Sequence, residues 1–266
     1  MLELLNRTVR DPLRLATCID YIPSNKFGIR SGNYHLVGVA DNADYEFGVT
    51  DGRHSVTCKN VTTAGGKITH GLAQEIPTDK MGIGVFLWTL ALWVYVGPAD
   101  YSTNITNSNY ATAGSLIATL YFIDPAYYEA GTNFENRRYL QLWLGRGSST
   151  TLSLVVQRLR RVNDATQTLN AVKSSNVSLS KGWHLFYVKP LYGTRSTLVW
   201  GVDDKTFSNA TGVFNNTEDW TSFYAGYRQS ISAGGHGAEL PRGPLRLFRN
   251  IMAQTDMGDI ADTDIF

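Results

Sequence analysis

The stretch "SKGWHLFYVKP", residues 180–190, limits the architecture more than any other part of the chain. After a Lys-Gly turn signal, Trp183, His184, Leu185, Phe186, Tyr187 and Val188 follow with no polar break. Successive side chains of a strand point to opposite faces. A run that is apolar on both faces must therefore be kept from water on both. The sequence has to supply a layered structure around it.

The rest of the chain supplies strands. "YHLVGV" (34–39) stops at "ADNAD", and "YEFGV" (45–49) stops at "TDGRH", where Asp51-Gly52 is a hairpin signal leading into a partner strand over 55–61. "LIATLYFI" (116–123) ends at Asp124-Pro125. "YLQLWL" (139–144) and "LSLVVQRL" (152–159) flank "GRGSS" and read as a hairpin. "LVWGV" (198–202), "FYAGY" (223–227) and "LRLFR" (245–249) complete the set. Helix signals are confined to one turn in Pro125–Gly131 and a short turn or helix over Ala253–Ile260. Many short strands at regular spacing predict a sandwich or barrel of antiparallel sheets. The first 31 residues lack this alternation and are expected to form an arm, packed on a neighbour or on the edge of the domain that spans 32–266.

Hydrophobic residues are 43% of the 266, enough for a large core, and charged residues only 18%. A net charge of +1 gives no long-range attraction to nucleic acid or to an anionic membrane. The 17-residue segment "MGIGVFLWTLALWVYVG" (81–97) is just short of a bilayer span of about 20 residues. Its glycines, aromatics and β-branched residues fit a buried strand pair better. No secretory signal is read at "MLELLNRTVR". Cys18 and Cys58 allow one bridge, but so sparse a pair fits free thiols of a reducing compartment. The sequons at Asn6, Asn60, Asn104, Asn176, Asn209 and Asn215 carry little weight in a chain rich in Asn and Thr.

Taken in order, these pieces resemble the concanavalin A-like, or laminin-G-like, jelly roll. "FLWTLALWVYVG", with Trp88 and Trp93, is similar to an early strand of that family. "YLQLWLGRGSSTTLSLVV" resembles its middle hairpin, and "KGWHLFYV" its "gWhhvavv" strand. "TLVWGVDD" stands where the family often has a "vDG" turn, with Asp204 in place of the glycine. "FYAGY" and "LRLFRNIMAQTDMGDIAD" match its closing strands. The resemblance covers about 32–262 and implies two antiparallel sheets. Trp183 is then expected to fill the sandwich core, and His184 to point to the opposite face.

No residue pattern for catalysis is found. The family's glucanases carry two carboxylates two apart on one strand, as Glu-x-Asp-x-Glu, and that pattern does not occur. Glu129 and Glu135 are six apart across a loop, and Asp262 and Asp264 sit at a polar terminus. His184 has no carboxylate or nucleophile near it in sequence and reads as a hydrogen-bonded or solvated strand residue. No cofactor is expected. Calcium is left open, through acidic loops holding Asp41, Asp44 and Glu46, Asp100 and Asn104, or Asp203 and Asp204, none with a full ligand spacing. Arg158, Arg160 and Arg161, and Arg242, Arg246 and Arg249, read as a solvated edge or an Arg–carboxylate interface, not as a nucleic-acid patch. "AGGK" and "SAGGHG" lack the strand-loop-helix context of a phosphate loop.

The expected role is therefore a non-enzymatic structural protein of a virus (bacteriophage) particle. It would be a capsid decoration or tail component located in the virion. Its partners would be other virion proteins, copies of itself or a cell-surface glycan, with no nucleic acid bound and no membrane insertion. The alternative is a carbohydrate-binding lectin or adhesin, and a glucanase-like enzyme comes last.

Overall fold

Seventeen strands and very little helix make up the described part of the chain. The structure is a computed structural model. It describes residues 17–21, 29–31, 37–38, 45–58, 71–77, 88–123, 137–162, 165–191, 198–210, 222–228, 240–248, 257–258 and 260–261. One sheet of nine strands contains β1 (Thr17–Tyr21), β2 (Ile29–Ser31), β4 (Tyr45–Thr50), β5 (Arg53–Cys58), β7 (Thr89–Val96), β13 (Gly182–Pro190), β14 (Leu198–Val202), β15 (Lys205–Ala210) and β17 (Arg242–Phe248). A second sheet of eight contains β3 (Val37–Gly38), β6 (Gly71–Pro77), β8 (Gly114–Ile123), β9 (Arg137–Ser148), β10 (Thr151–Val162), β11 (Ala165–Lys173), β12 (Val177–Ser178) and β16 (Ser222–Arg228). Strand neighbours pair antiparallel in both. The all-β fold of two antiparallel sheets read from the sequence is the fold of the protein.

The order across the first sheet is β15-β14-β13-β7-β17-β1-β2, with the β4–β5 hairpin joined to β17. Strand β13 thus lies between β14 and β7, and His184 to Pro190 are all buried, as the opening stretch required. The second sheet runs β11-β10-β9-β8-β16-β6-β3.

The alternation along β13 decides what each face meets. Phe186, with Trp200 and Val202 of β14, faces Leu144, Leu152 and Leu154 of the other sheet around a small cavity. This is the inter-sheet core. Arg242 of β17 lies on the same side, 1% exposed, and its Nη2 donates to the Leu116 carbonyl of β8 at 2.9 Å. The guanidinium therefore stitches one sheet to the other. The solvated edge expected for Arg242 is corrected accordingly. Arg246 is half-buried, and the side chains of Arg158, Arg160, Arg161 and Arg249 lie outside the described residues.

Leu185 and Tyr187 face the other way. They cluster with Ala91, Trp93 and Phe248, and Met257 and Ile260 of the C-terminal helical turn cover them. Trp183 belongs to this outer cluster and is half-buried. The expectation that Trp183 fills the inter-sheet core is thus overturned. It shares the face of Leu185, and that face is capped by a separate layer instead of by the second sheet.

The outer face of the eight-stranded sheet is capped too. Trp143, Leu116 and Val155 pack under Ile105, with Tyr110 and Ala111 of α1 (Tyr110–Ala113) laid against them. Trp143 is 3% exposed, and its Nε1 donates to Gln157 Oε1 at 3.1 Å, also buried.

Two expectations about the N-terminal quarter can be placed. Inside the segment expected as an arm, β1 pairs with β17 and β2 pairs with β1. These two strands stand at one end of the nine-stranded sheet, in the order β17-β1-β2. Cys18 lies between Thr17 and Ile19, opposite the Leu247–Phe248 end of β17, whereas Val56, two residues before Cys58, pairs with Arg242 at the other end. The intervening stretch of β17 is about five residues, or ~17 Å. A disulfide needs Cα atoms within about 7 Å, a separation that this backbone register exceeds.

Several sequence boundaries shift. The segment over 81–97 contributes one strand, β7, where a strand pair was expected, and 81–87 lie outside the described residues, as does Pro125–Gly131. Strands β1, β2, β6, β11, β12 and β15 were not read from the sequence, and in 253–260 the helical residues described are Met257, Gly258 and Ile260. No helix among the described residues is long and apolar enough to cross a membrane.

Candidate functional site

The exposed end of the outer cluster carries most of the chemistry on this side of the molecule. Trp183 and Tyr95 are direct partners across β13 and β7. Their rings meet edge to face, with centroids 5.5 Å apart and planes at 64°, and both are half-buried. Trp183 can lie flat over β17 because position 243 is glycine. A Cβ there would come within 3.0 Å of the Trp183 ring and 2.9 Å of Trp93 Cβ.

The β4–β5 hairpin folds over this platform. Asp51 and Gly52 take φ of 45° and 78°, the left-handed pair a tight two-residue hairpin needs. The turn brings Thr50 to Trp183, whose Nε1 donates to the Thr50 carbonyl at 2.8 Å. It also places the Arg53 guanidinium 4.0 Å above the Trp93 ring. The tip stays in water, with Val49 64% exposed and Asp51, Gly52 and His54 exposed beside it.

On the other side of Tyr95, Lys181 Nζ stands 5.1 Å from the ring centroid and holds both Asp100 carboxylate oxygens, at 2.5 and 2.6 Å. Asp100 Oδ2 also accepts from the Gly97 amide at 2.7 Å. The result is an aromatic floor of Trp183 and Tyr95, rimmed by a cation, a carboxylate, a backbone carbonyl and an exposed hairpin tip. Rings bordered by a few fixed polar groups suit ligands with apolar C–H faces and hydroxyl edges.

His184 sits directly behind this surface. Its Nδ1 is 2.8 Å from Asp203 Oδ2 and its Nε2 is 3.0 Å from the Ser180 carbonyl oxygen. The second oxygen of Asp203 accepts from the Leu185 amide at 2.8 Å. Asp203 has φ of 51°, so the left-handed position of the β14–β15 turn falls there, not on Asp204. Local hydrogen bonds let aspartate take that backbone conformation. Burial works against charge on the ring, but the Asp203 hydrogen bond, the Ser180 carbonyl and the Asp203 charge outweigh it, with Lys205 opposing. The His184 pKa is raised above 6.5. The hydrogen-bonded strand residue read from the sequence is what His184 is, with a carboxylate partner 19 positions away.

Among the described residues the other sequence candidates do not converge. Asp100 and Asp203 have their oxygens taken by Lys181, Gly97, His184 and Leu185, and Asn104 Oδ1 accepts from Arg146 Nε at 2.9 Å. Among the described residues no three His, Cys, Asp or Glu side chains are grouped to hold a metal ion. Asp41, Asp44, Glu129, Glu135, Asp262 and Asp264 lie outside the described residues. Sequence reasoning missed Tyr95, Arg53, Lys181 and Asp100 as parts of one surface. The available signal was the pairing of "WVYVG" with "KGWH", which sets Tyr95 beside Trp183.

No protein-family model matches the chain, and no curated protein matches it. Solved structures do. The chain is similar to the binding domain of botulinum neurotoxin serotype C1, with a TM-score of 0.54 and 8% identity over 96% of this chain and 53% of that one. It is similar to a structure of botulinum neurotoxin type C, which depends on interaction with two ganglioside molecules to enter cells (TM-score 0.53, 8% identity, 93% of this chain and 51% of that one). It also matches the binding domain of Paraclostridial mosquitocidal protein 1 (TM-score 0.52, 5% identity, 95% and 53%). The chain spans about half the length of these proteins. At such identities the likeness is one of fold.

Proposed function

We propose that the protein is a non-catalytic recognition module that binds carbohydrate on a cell or receptor surface, as an adhesin does. The observation that carries this reading is the half-buried Tyr95–Trp183 platform, ringed by Lys181, Asp100 and the exposed β4–β5 tip. A sugar ring stacks its C–H face on such aromatics and spends its hydroxyls on the polar rim. The fold likeness to toxin binding domains, one of them from a toxin that interacts with gangliosides, supports the same direction. The virus-particle role read from the sequence ranks second.

A glycan array probed with the full chain tests the proposal. Binding to a defined set of glycans is expected. Tyr95→Ala should weaken binding to that set about tenfold, the loss of one aromatic stacking contact, with the melting temperature held. Absence of binding to any glycan, or binding unchanged in Tyr95→Ala, overturns it.

A further inference from the structure

Behind the platform, both ring nitrogens of His184 point at acceptors. Asp203 Oδ2 is a carboxylate oxygen and Ser180 O is a carbonyl oxygen. Neither can donate, so both hydrogen bonds exist together only when the imidazole carries two protons. A neutral ring has one N–H and must give up one partner. The two partners belong to different elements. Ser180 belongs to the loop that leads into Trp183, and Asp203 to the β14–β15 turn.

We propose that His184 is a positioning residue, a protonated clasp that ties the 179–181 loop to the β14–β15 turn and releases it when the ring becomes neutral. The loop carries Lys181 and leads into Trp183, two of the groups that form the platform, so the clasp sets the shape of that surface as a function of pH. The effect on ligand rests on the recognition role proposed above, whereas the clasp itself does not.

The surroundings favour the charged ring. Asp203 faces it directly. The same turn carries exposed Asp204 and Lys205, and Lys205 opposes protonation. From the preceding loop the charged neighbour is Lys181, already held by Asp100. From β7 the cross-strand partner is Val94, apolar and fully buried. The sign follows from linkage. With the folded pKa raised above 6.5, the clasp is complete below 6.5 and is lost as pH rises through the folded midpoint.

Ring nitrogen NMR and amide exchange of the full chain test the clasp. Both His184 nitrogens should carry protons at about pH 5, with a midpoint above the ordinary histidine value. Exchange of the 179–183 amides, corrected for intrinsic rate, should rise about tenfold by about pH 8, the weight of one hydrogen bond to a charged group. His184→Gln should remove that pH dependence, and Asp203→Asn should lower the midpoint. A midpoint at or below the ordinary value, protection that does not change with pH, or pH dependence that survives in His184→Gln each overturns the proposal. Glycan binding measured over the same range separates the two readings. A clasp that titrates in a protein that binds no glycan sinks the recognition role and leaves the clasp standing.

Discussion

Two Tyr–Trp pairs sit on the two outer faces of the sandwich, and both have ring centroids 5.5 Å apart. In Tyr110–Trp143, at 58°, the half-buried tyrosine belongs to α1, the cover itself, and closes over the tryptophan. That tryptophan is 3% exposed and donates to a buried glutamine. Tyr95–Trp183, at 64°, is left half-open, with cations placed over Tyr95 and neighbouring Trp93 and an indole bonded to a hairpin carbonyl. The contact geometry is nearly the same and the setting is different. What makes one pair a candidate recognition surface is a cover that stops short and a polar rim, not any property of the rings alone.

The comparison can be broken in three places. Trp143→Ala removes a fully packed indole and its hydrogen bond to Gln157, so the cost should be about 3–5 kcal/mol by chemical denaturation. A loss under about 1 kcal/mol would mean that the α1 cover is not a core. Trp183→Ala should cost less, about 1–3 kcal/mol, because the ring is half-exposed and gives up one hydrogen bond to Thr50. Equal losses at the two tryptophans would erase the distinction between the faces. Lys181→Ala should be the mildest for stability, between about 0 and 1 kcal/mol, since its pair with Asp100 is solvent-screened. A measurable drop in glycan affinity with no change in melting temperature is expected. The reverse pattern would make Lys181 a structural residue.

The sheet architecture was legible in the sequence because alternation and turn residues are local signals. "YEFGVTDGRH" names its own hairpin, and Asp51 and Gly52 adopt the left-handed backbone that reading implies. The run at 183–188 announced burial on both faces, and β13 delivers it from His184 onward. What local signals could not give is which layer covers which face. Trp183 was assigned to the inter-sheet core because nothing in its neighbourhood reports that Met257 and Ile260 return to cap the outside. The site was illegible for the same reason. Arg53, Tyr95 with Asp100, and Lys181 come from three separate stretches, joined by the β7–β13 register and a hairpin fold-over. His184 looked solitary in sequence because its carboxylate waits across a strand and a turn.

The strand order of the nine-stranded sheet also bears on how the chain reaches this state during synthesis. Strand β7 lies at the middle of that sheet, yet its neighbours β13 and β17 are made long after it. Strand β1 pairs with β17 across most of the length of the sequence. The run β8-β9-β10-β11 in the other sheet is by contrast a sequential meander, each strand pairing with the next. Non-local pairing must meet its loop-closure entropy before it is rewarded. The meander is thus equipped to form while the ribosome is still at work. The apolar residues of β7, Leu90 to Val96, have to wait for β13 and β17 to leave the exit tunnel. Over that interval they are the part of the nascent chain most in need of a chaperone.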